Sequence, residues 1–222
     1  VETFAVQAEL SPLAAQELGL KTGTKISYRA GDQPNNAFSL NVLNPGEVAA
    51  TAGTSGVVYG IVNTPTYDKK SRVNTFVHVN HAKNAERYGV LLCINGTGIQ
   101  NSWLKNTLFG HQYSYDQMNA NAAQIKAGSD GVRIYPFGNG TERVFENQKL
   151  GGSICGLGFN THSEAHIMRA AQEGIAFGLH YGMNIMRKLG IESHTVRAGE
   201  ANMFLSPVFR EAFVNTTGTV VE

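Results

Sequence analysis

At 222 residues the chain is long enough to bury a sizeable core and to hold one large or two small domains. Its 18 Lys+Arg nearly balance 17 Asp+Glu, without a basic cluster, which argues against nucleic acid or an anionic membrane surface as the main partner; no run of eighteen apolar residues exists to span a bilayer. The outlying feature is glycine, 25 residues where average usage is about 7 %, a residue used where backbone turns tightly or comes close to something.

In chain order, Ser11-Pro12 followed by LAAQEL and Gly19 predicts a short helix, with Ser11 as N-cap, Pro12 in the first turn and Gly19 as its left-handed end. A turn and a short strand follow, stopping at Gly31-Asp32, and residues 35–43 read as a small apolar helix closed by Asn44-Pro45-Gly46. GEVAATAGTSGVVYGIV predicts two strands of small and β-branched residues joined at Gly53-Thr54-Ser55-Gly56. Residues 73–82 alternate like a strand, 88–94 form another, a helix starts near Gly98, and 113–126 are polar and weakly helical. Glycines crowd residues 128–158, which predicts loops and short strands. Thr161-His162-Ser163-Glu164 is read as a capping box opening a helix that runs to Leu189, with Gly190 as its stop. Ala170, Gly174, Gly178 and Gly182 form a row at i+4 steps on that helix, and since each interior glycine costs about 1 kcal/mol against alanine, close packing must offset it. A short strand at HTVRAG and a helix from Ser206-Pro207 complete an α/β chain.

Familiar catalytic signatures are absent: no G-x-x-x-x-G-K-[ST], no G-x-G-x-x-G opening a helix, no G-x-S-x-G and no H-E-x-x-H. Cys93 and Cys155 lie far apart and read as small buried residues, outside any CxxC pair or disulfide framework. His162 and His166 read as part of an exposed first helical turn, and His78 and His81 as structural; no metal site is expected. Three polar clusters flanked by glycine remain. In Gly31-Asp32-Gln33, a carboxylate after a strand end is either an ordinary Asx turn or a base that takes a proton from a substrate hydroxyl. Gly53-Thr54-Ser55-Gly56 is either a plain hairpin turn or a nest of hydroxyls and N–H groups for phosphate oxygens. Ala198-Gly199-Glu200-Ala201-Asn202 stands at a strand-to-helix junction where a flat ring can lie on backbone with Asn202 beside it.

Taken in order, AGDQPNNAFS, NPGEVAATAGTSGVVYG, NGTGIQNSWL, GSDGVRIYPFGNGTER and AGEANMFLSPVFREAFVNTTGTVV resemble the carboxy-terminal half of the FGGY carbohydrate kinases, chiefly the xylulokinase branch. The resemblance spans essentially the whole chain. It implies an actin-like, ribonuclease-H-like α/β fold with a mixed sheet flanked by helices. Residues 1–44 would be the tail of the amino-terminal, sugar-binding domain and 45–222 the carboxy-terminal, nucleotide-binding domain, with the phosphate loop and most sugar contacts upstream in a longer protein. By the same resemblance Asp32 is the base on the sugar hydroxyl and Gln33 its neighbour at the sugar. Gly53, Thr54 and Ser55 meet the phosphates, Gly98 precedes the helix beside the nucleotide, and Ala198, Gly199 and Asn202 form the adenosine motif. Two departures stand out: Arg197-Ala198-Gly199-Glu200 replaces the family's Gly-Gly-Gly or Gly-Gly-Ala, and Gly140-Thr141-Glu142-Arg143 carries one residue more than its Gly-Glu-Arg. The implied reaction is transfer of the γ-phosphate of ATP, with Mg²⁺, to a ketopentose, D-xylulose first, in a cytoplasmic enzyme of a family in which dimers are common. A kinase of glycerol, L-ribulose or another sugar, and a non-catalytic actin-like nucleotide-binding module, are the alternatives.

Overall fold

The computed structural model describes residues 2–222. It opens with strand β1 (Ala8–Glu9), helix α1 (Pro12–Leu18), β2 (Lys25–Ile26) and α2 (Asp32–Ser39), then β3 (Val48–Ala52), β4 (Gly56–Val62), β5 (Asn74–Val77) and β6 (Tyr88–Ile94). Helix α3 (Gly98–Trp103) runs into a π-helical turn (Leu104–Leu108) and is followed by α4 (Tyr115–Ala123), β7 (Arg133–Tyr135), β8 (Ser153–Cys155) and the long α5 (Glu164–Lys188). Strand β9 (Thr195–Ala198), a 3₁₀ turn (Asn202–Leu205), α6 (Pro207–Thr217) and β10 (Val220–Val221) close the chain. The central sheet has the order β10-β9-β3-β4-β6-β5, antiparallel from β3 to β5 and parallel where β9 and β10 join, so it is mixed.

Both faces of the sheet are covered, which is why GVVYGIV of β4 is a continuous apolar run rather than an alternating one. Val57, Tyr59 and Ile61 face one side, with Ala37, Val42 and Ala49. Val58 faces the other, in the core that α5 and α6 complete with Ile175, Leu179, Met183, Phe209 and Phe213. The glycine row of α5 does the packing expected of it. A Cβ on Gly174 would stand 2.0 Å from the Ile134 carbonyl oxygen of β7, and one on Gly182 would stand 2.3 Å from Leu92 Cδ1 of β6. At Gly178 the nearest atom is 3.5 Å away, ordinary van der Waals contact. Gly174→Ala is therefore expected to destabilise the fold by about 1–3 kcal/mol despite its better helix propensity, because backbone must move. Gly178→Ala should be neutral or stabilising by up to about 1 kcal/mol. Thermal denaturation of the two variants checks the contrast, and equal melting temperatures would overturn it.

Several local expectations shift. Helix α2 begins at Asp32 and ends at Ser39 instead of spanning 35–43, because Pro34 sits in the first turn, where its missing N–H is no loss, and Asn41 turns left-handed at φ +57°. The alternating stretch 73–82 is a strand only over Asn74–Val77. After it, His78 is fully buried: Tyr59 donates to its Nδ1 at 3.1 Å and its Nε2 donates to the Val42 carbonyl at 3.1 Å. Burial holds its pKa down at about 4, in keeping with this neutral tautomer. Helix α5 is capped by Ser163, not Thr161, whose N–H is spent in a turn on Gly158. The Ser163 N–H donates to His166 Nδ1 at 3.0 Å, so His166, expected on a solvated surface, is buried, with Nε2 3.3 Å from Asp130. Cys155 is exposed and Cys93 half-buried, so neither is the buried filler expected. Among the described residues no group of three or more His, Cys, Asp or Glu is set to hold a metal, and no helix is long and apolar enough to cross a membrane.

Candidate active site

The turn between β3 and β4 is the anchor of the site. Ala52 pairs with Gly56, leaving residues 53–55 as the loop. The first residues of α3 are bonded to it: the Gly98 N–H donates to the Gly53 carbonyl at 2.9 Å and the Ile99 N–H to the Thr54 carbonyl at 3.2 Å. A Cβ on Gly98 would stand 2.4 Å from the Gly53 oxygen, so glycine at 98 is a requirement of this close approach. Asn202 reaches the same turn from the end of the chain; its Nδ2 lies 3.7 Å from where a Cβ of Gly53 would be. It adopts φ +54°, a left-handed conformation that asparagine tolerates, and opens the 3₁₀ turn leading to Ser206, the N-cap of α6.

A cleft of about 610 Å³ lies among these segments. Ala52, Gly53 and Thr54 wall it on the hairpin side, Gly98, Ile99, Asn101 and Ser102 on the α3 side, and Asn202, Met203, Leu205 and Ser206 on the third. The fourth wall is the start of α4, with Tyr115, Asp116 and Asn119. These α4 residues were not singled out from the sequence, although Ser114 with Gln117 forms a capping box that marks the helix start. A relay braces that wall: the Ser206 hydroxyl donates to Gln172 Oε1 at 2.6 Å, and Gln172 Nε2 donates to Asn119 Oδ1 at 3.1 Å. Gln172 is buried on α5, so the long helix fixes two sides of the cleft at once.

Of the residues singled out beforehand, Gly53, Thr54, Gly98 and Asn202 share this cleft. Ser55, Ala198 and Gly199 are outside its lining. Ala198 ends β9 beside Ala50 and donates its N–H to the Glu222 carbonyl at 2.8 Å, while Gly199 faces Leu40 just after α2. Asp32 and Gln33 are also outside it, in the first turn of α2. The Asp32 carboxylate is exposed, and one oxygen accepts the Gln33 N–H at 2.8 Å. Their helix and the residues after it are seated on the face of the sheet that carries Val57 and Tyr59, through Ala37 of the helix and Val42 beyond it, so Asp32 stands on the same framework as the hairpin. Among the described residues the cleft is lined by no Lys or Arg, and its only carboxylate is Asp116.

The family model for the carboxy-terminal domain of the FGGY carbohydrate kinases matches residues 48–220. The chain belongs to the FGGY family. A xylulose kinase of Bacillus subtilis (strain 168) is 30 % identical over 198 residues, 88 % of this chain and 38 % of that protein. A gluconokinase of the same organism is 26 % identical over 189 residues, 81 % of this chain and 36 % of that protein. Among solved structures, a ligand-bound xylulose kinase from Lactobacillus acidophilus superimposes with a TM-score of 0.84 at 22 % identity over the whole chain, and a gluconate kinase from the same organism with 0.83 at 22 %. Each covers 44 % of the larger chain, and this FGGY chain spans less than half the length of the relatives it matches. The α/β fold with a mixed sheet flanked by helices, expected from the family resemblance, is the one found.

Proposed function

We propose that the protein to which this chain belongs is an ATP-dependent carbohydrate kinase acting on a ketopentose, D-xylulose first, and that the cleft among the hairpin, α3, α4 and Asn202 holds the nucleotide. The observation that carries this is the meeting in one cleft of Gly53, Thr54, Gly98 and Asn202, from three segments far apart in the sequence of an FGGY chain. The Thr54 hydroxyl and the hairpin backbone meet the phosphates, with Ser55 behind them, and the segment from Ala198 through Gly199 to Asn202 flanks the adenosine. Residues 45–222 form the nucleotide-binding domain, and residues 1–44 continue a sugar-binding domain. Exposure of Phe4, Val6, Leu13, Leu18 and Ile26 supports the second part, since such apolar surface packs against further protein.

Asp32 accepts the proton of the sugar hydroxyl as its oxygen bonds to the γ-phosphorus and the bond from that phosphorus to the β-phosphate oxygen breaks; Gln33 holds the sugar beside it. Among the described residues the walls include no Lys or Arg, which fits a nucleotide arriving with Mg²⁺, and Thr54 and Asp116 are two of the side-chain oxygens they offer such an ion. When bound, the cation supplies charge neutralisation on the phosphates. Hairpin N–H groups and the hydroxyl do the remaining positioning, and closing the sugar domain over the cleft excludes water that would otherwise take the phosphoryl group.

A second acceptor, gluconate, is favoured by one specific observation: gluconate kinases stand beside the xylulose kinases among both sequence relatives and structural neighbours. Coupled ADP detection with the full-length protein and a panel of D-xylulose, gluconate, L-ribulose and glycerol tests both. D-Xylulose is expected to give the highest kcat/KM, at least tenfold above the others. Preference for gluconate would establish the second reading, and turnover of none would leave a nucleotide-binding module.

A further inference from the structure

Glu142 is fully buried, yet no cationic side chain among the described residues pairs with it. Its carboxylate instead faces the turn that leads from β6 into α3. The Asn95 N–H donates to Oε1 at 3.1 Å and to Oε2 at 3.2 Å. Two more bonds hold the turn to the Glu142 loop: Asn95 Nδ2 donates to the Thr141 carbonyl at 2.7 Å, and Asn139 Nδ2 to the Asn95 carbonyl at 3.3 Å. The turn is also close against the residue after β7: a Cβ on Gly96 would stand 1.6 Å from the Pro136 carbonyl oxygen. On its opposite side the same turn carries Gly98 and Ile99 onto the hairpin carbonyls, and the Thr97 hydroxyl oxygen lies 2.6 Å from where a Cβ of Gly56 would be. Residues 95–99 are thus pressed between Glu142 behind and the hairpin in front. A buried carboxylate without a counter-ion is costly, and a neutral acceptor would serve plain packing at lower cost. A carboxylate differs in offering acceptors on both oxygens to the one Asn95 N–H, which fixes the turn in direction as well as in place.

We propose that Glu142 is a positioning residue for the nucleotide cleft: it fixes the 95–98 turn from behind, and so sets the spacing between α3 and the hairpin carrying Gly53 and Thr54. This rests on reading that cleft as the nucleotide site. Glu142 touches neither nucleotide nor sugar in this scheme and acts only through the turn.

The test uses the full-length protein, with MgADP binding by calorimetry, KM for ATP and for the sugar, and melting temperature. Glu142→Gln keeps the size but places an NH₂ group against an N–H. MgADP affinity is expected to fall at least tenfold and KM for ATP to rise with it, while the sugar KM stays within twofold. A merely structural role would lower the melting temperature and the binding stoichiometry but leave the affinity and KM of the folded fraction unchanged, and that result overturns the proposal. Should Glu142→Gln not fold, Glu142→Asp keeps the charge but draws the carboxylate back from the Asn95 N–H. It should weaken MgADP about threefold, and unchanged affinity would equally overturn the proposal. A wild-type protein that binds no MgADP overturns the nucleotide reading and this one with it, whereas normal wild-type binding with an unaffected Glu142→Gln overturns the positioning role alone.

Discussion

Asp32→Asn in the full-length protein should reduce kcat for sugar phosphorylation about a thousandfold while leaving MgADP affinity within about twofold. The size follows from removing a general base, worth roughly 10²–10⁴ in rate, or about 4 kcal/mol at a thousandfold. The substitution suits the question because so little else depends on the charge. Asp32 makes one bond within the protein, accepting the Gln33 N–H through one oxygen, and asparagine keeps that acceptor. Gly31 caps the helix without a side chain, and α2 and the residues after it are held to the sheet by Ala37 and Val42 and not by the Asp32 carboxylate. Loss of one negative charge at the start of α2 costs no more than about 0.3–1 kcal/mol, so the fold should survive and the melting temperature should barely move. Steady-state kinetics with coupled ADP detection, beside calorimetry with MgADP, reads both halves of the expectation. A fall in kcat of less than tenfold would remove Asp32 as the base, and a parallel loss of ADP binding would point to misfolding.

What could be read in the sequence was what depends on near neighbours. Ser11 and Gly19 bound α1 as expected, with the Ala14 N–H donating to Ser11 Oγ at 3.3 Å and Gly19 at φ +66°. The Gly53-Thr54-Ser55-Gly56 hairpin and the Ser206-Pro207 helix start are equally local. The glycine row on α5 predicted close packing, though not against what; the partners are Ile134 and Leu92 on separate strands. The fourth wall of the cleft could not be seen in this way. Asn119 is oriented by Gln172, 53 residues on, and Glu142 holds a turn 47 residues earlier. A polar residue that acts through tertiary contact carries no periodicity, so nothing local separates Asp116 from an ordinary surface acid, and the Gly140–Arg143 motif marks Glu142 without showing what it holds. Family motifs narrowed the field better than spacing did, yet they grouped residues by sequence: Ala198 and Gly199 fall in the same motif as Asn202 but stand outside the cleft lining.

Gly98→Ala carries the second large expectation, about a hundredfold loss in kcat/KM for ATP. The new Cβ would meet the Gly53 carbonyl oxygen at 2.4 Å and its carbon at 3.0 Å, and both are backbone, with no flexible side-chain end to turn aside. Relief requires α3 and the hairpin to separate by about an ångström, to the normal limit of a Cβ contact near 3.4 Å. That separation breaks the 2.9 Å bond from the Gly98 N–H and moves Thr54 away from Asn101 and Ser102 across the cleft. An error of this size in the placement of reacting groups is enough for a hundredfold effect, and the overpacking itself costs about 1–3 kcal/mol of stability. Gly178→Ala separates the two contributions: it adds the same methyl to a helix of the same core where 3.5 Å is open, away from the cleft. Normal kinetics there, with a hundredfold loss in Gly98→Ala and MgADP binding weakened in step, would tie the effect to the spacing of the junction. Unaltered MgADP affinity in Gly98→Ala would mean that the nucleotide does not sit against this junction. The sugar KM should stay within about twofold in both variants, because Asp32 and Gln33 approach the sheet on a different helix from the one being displaced.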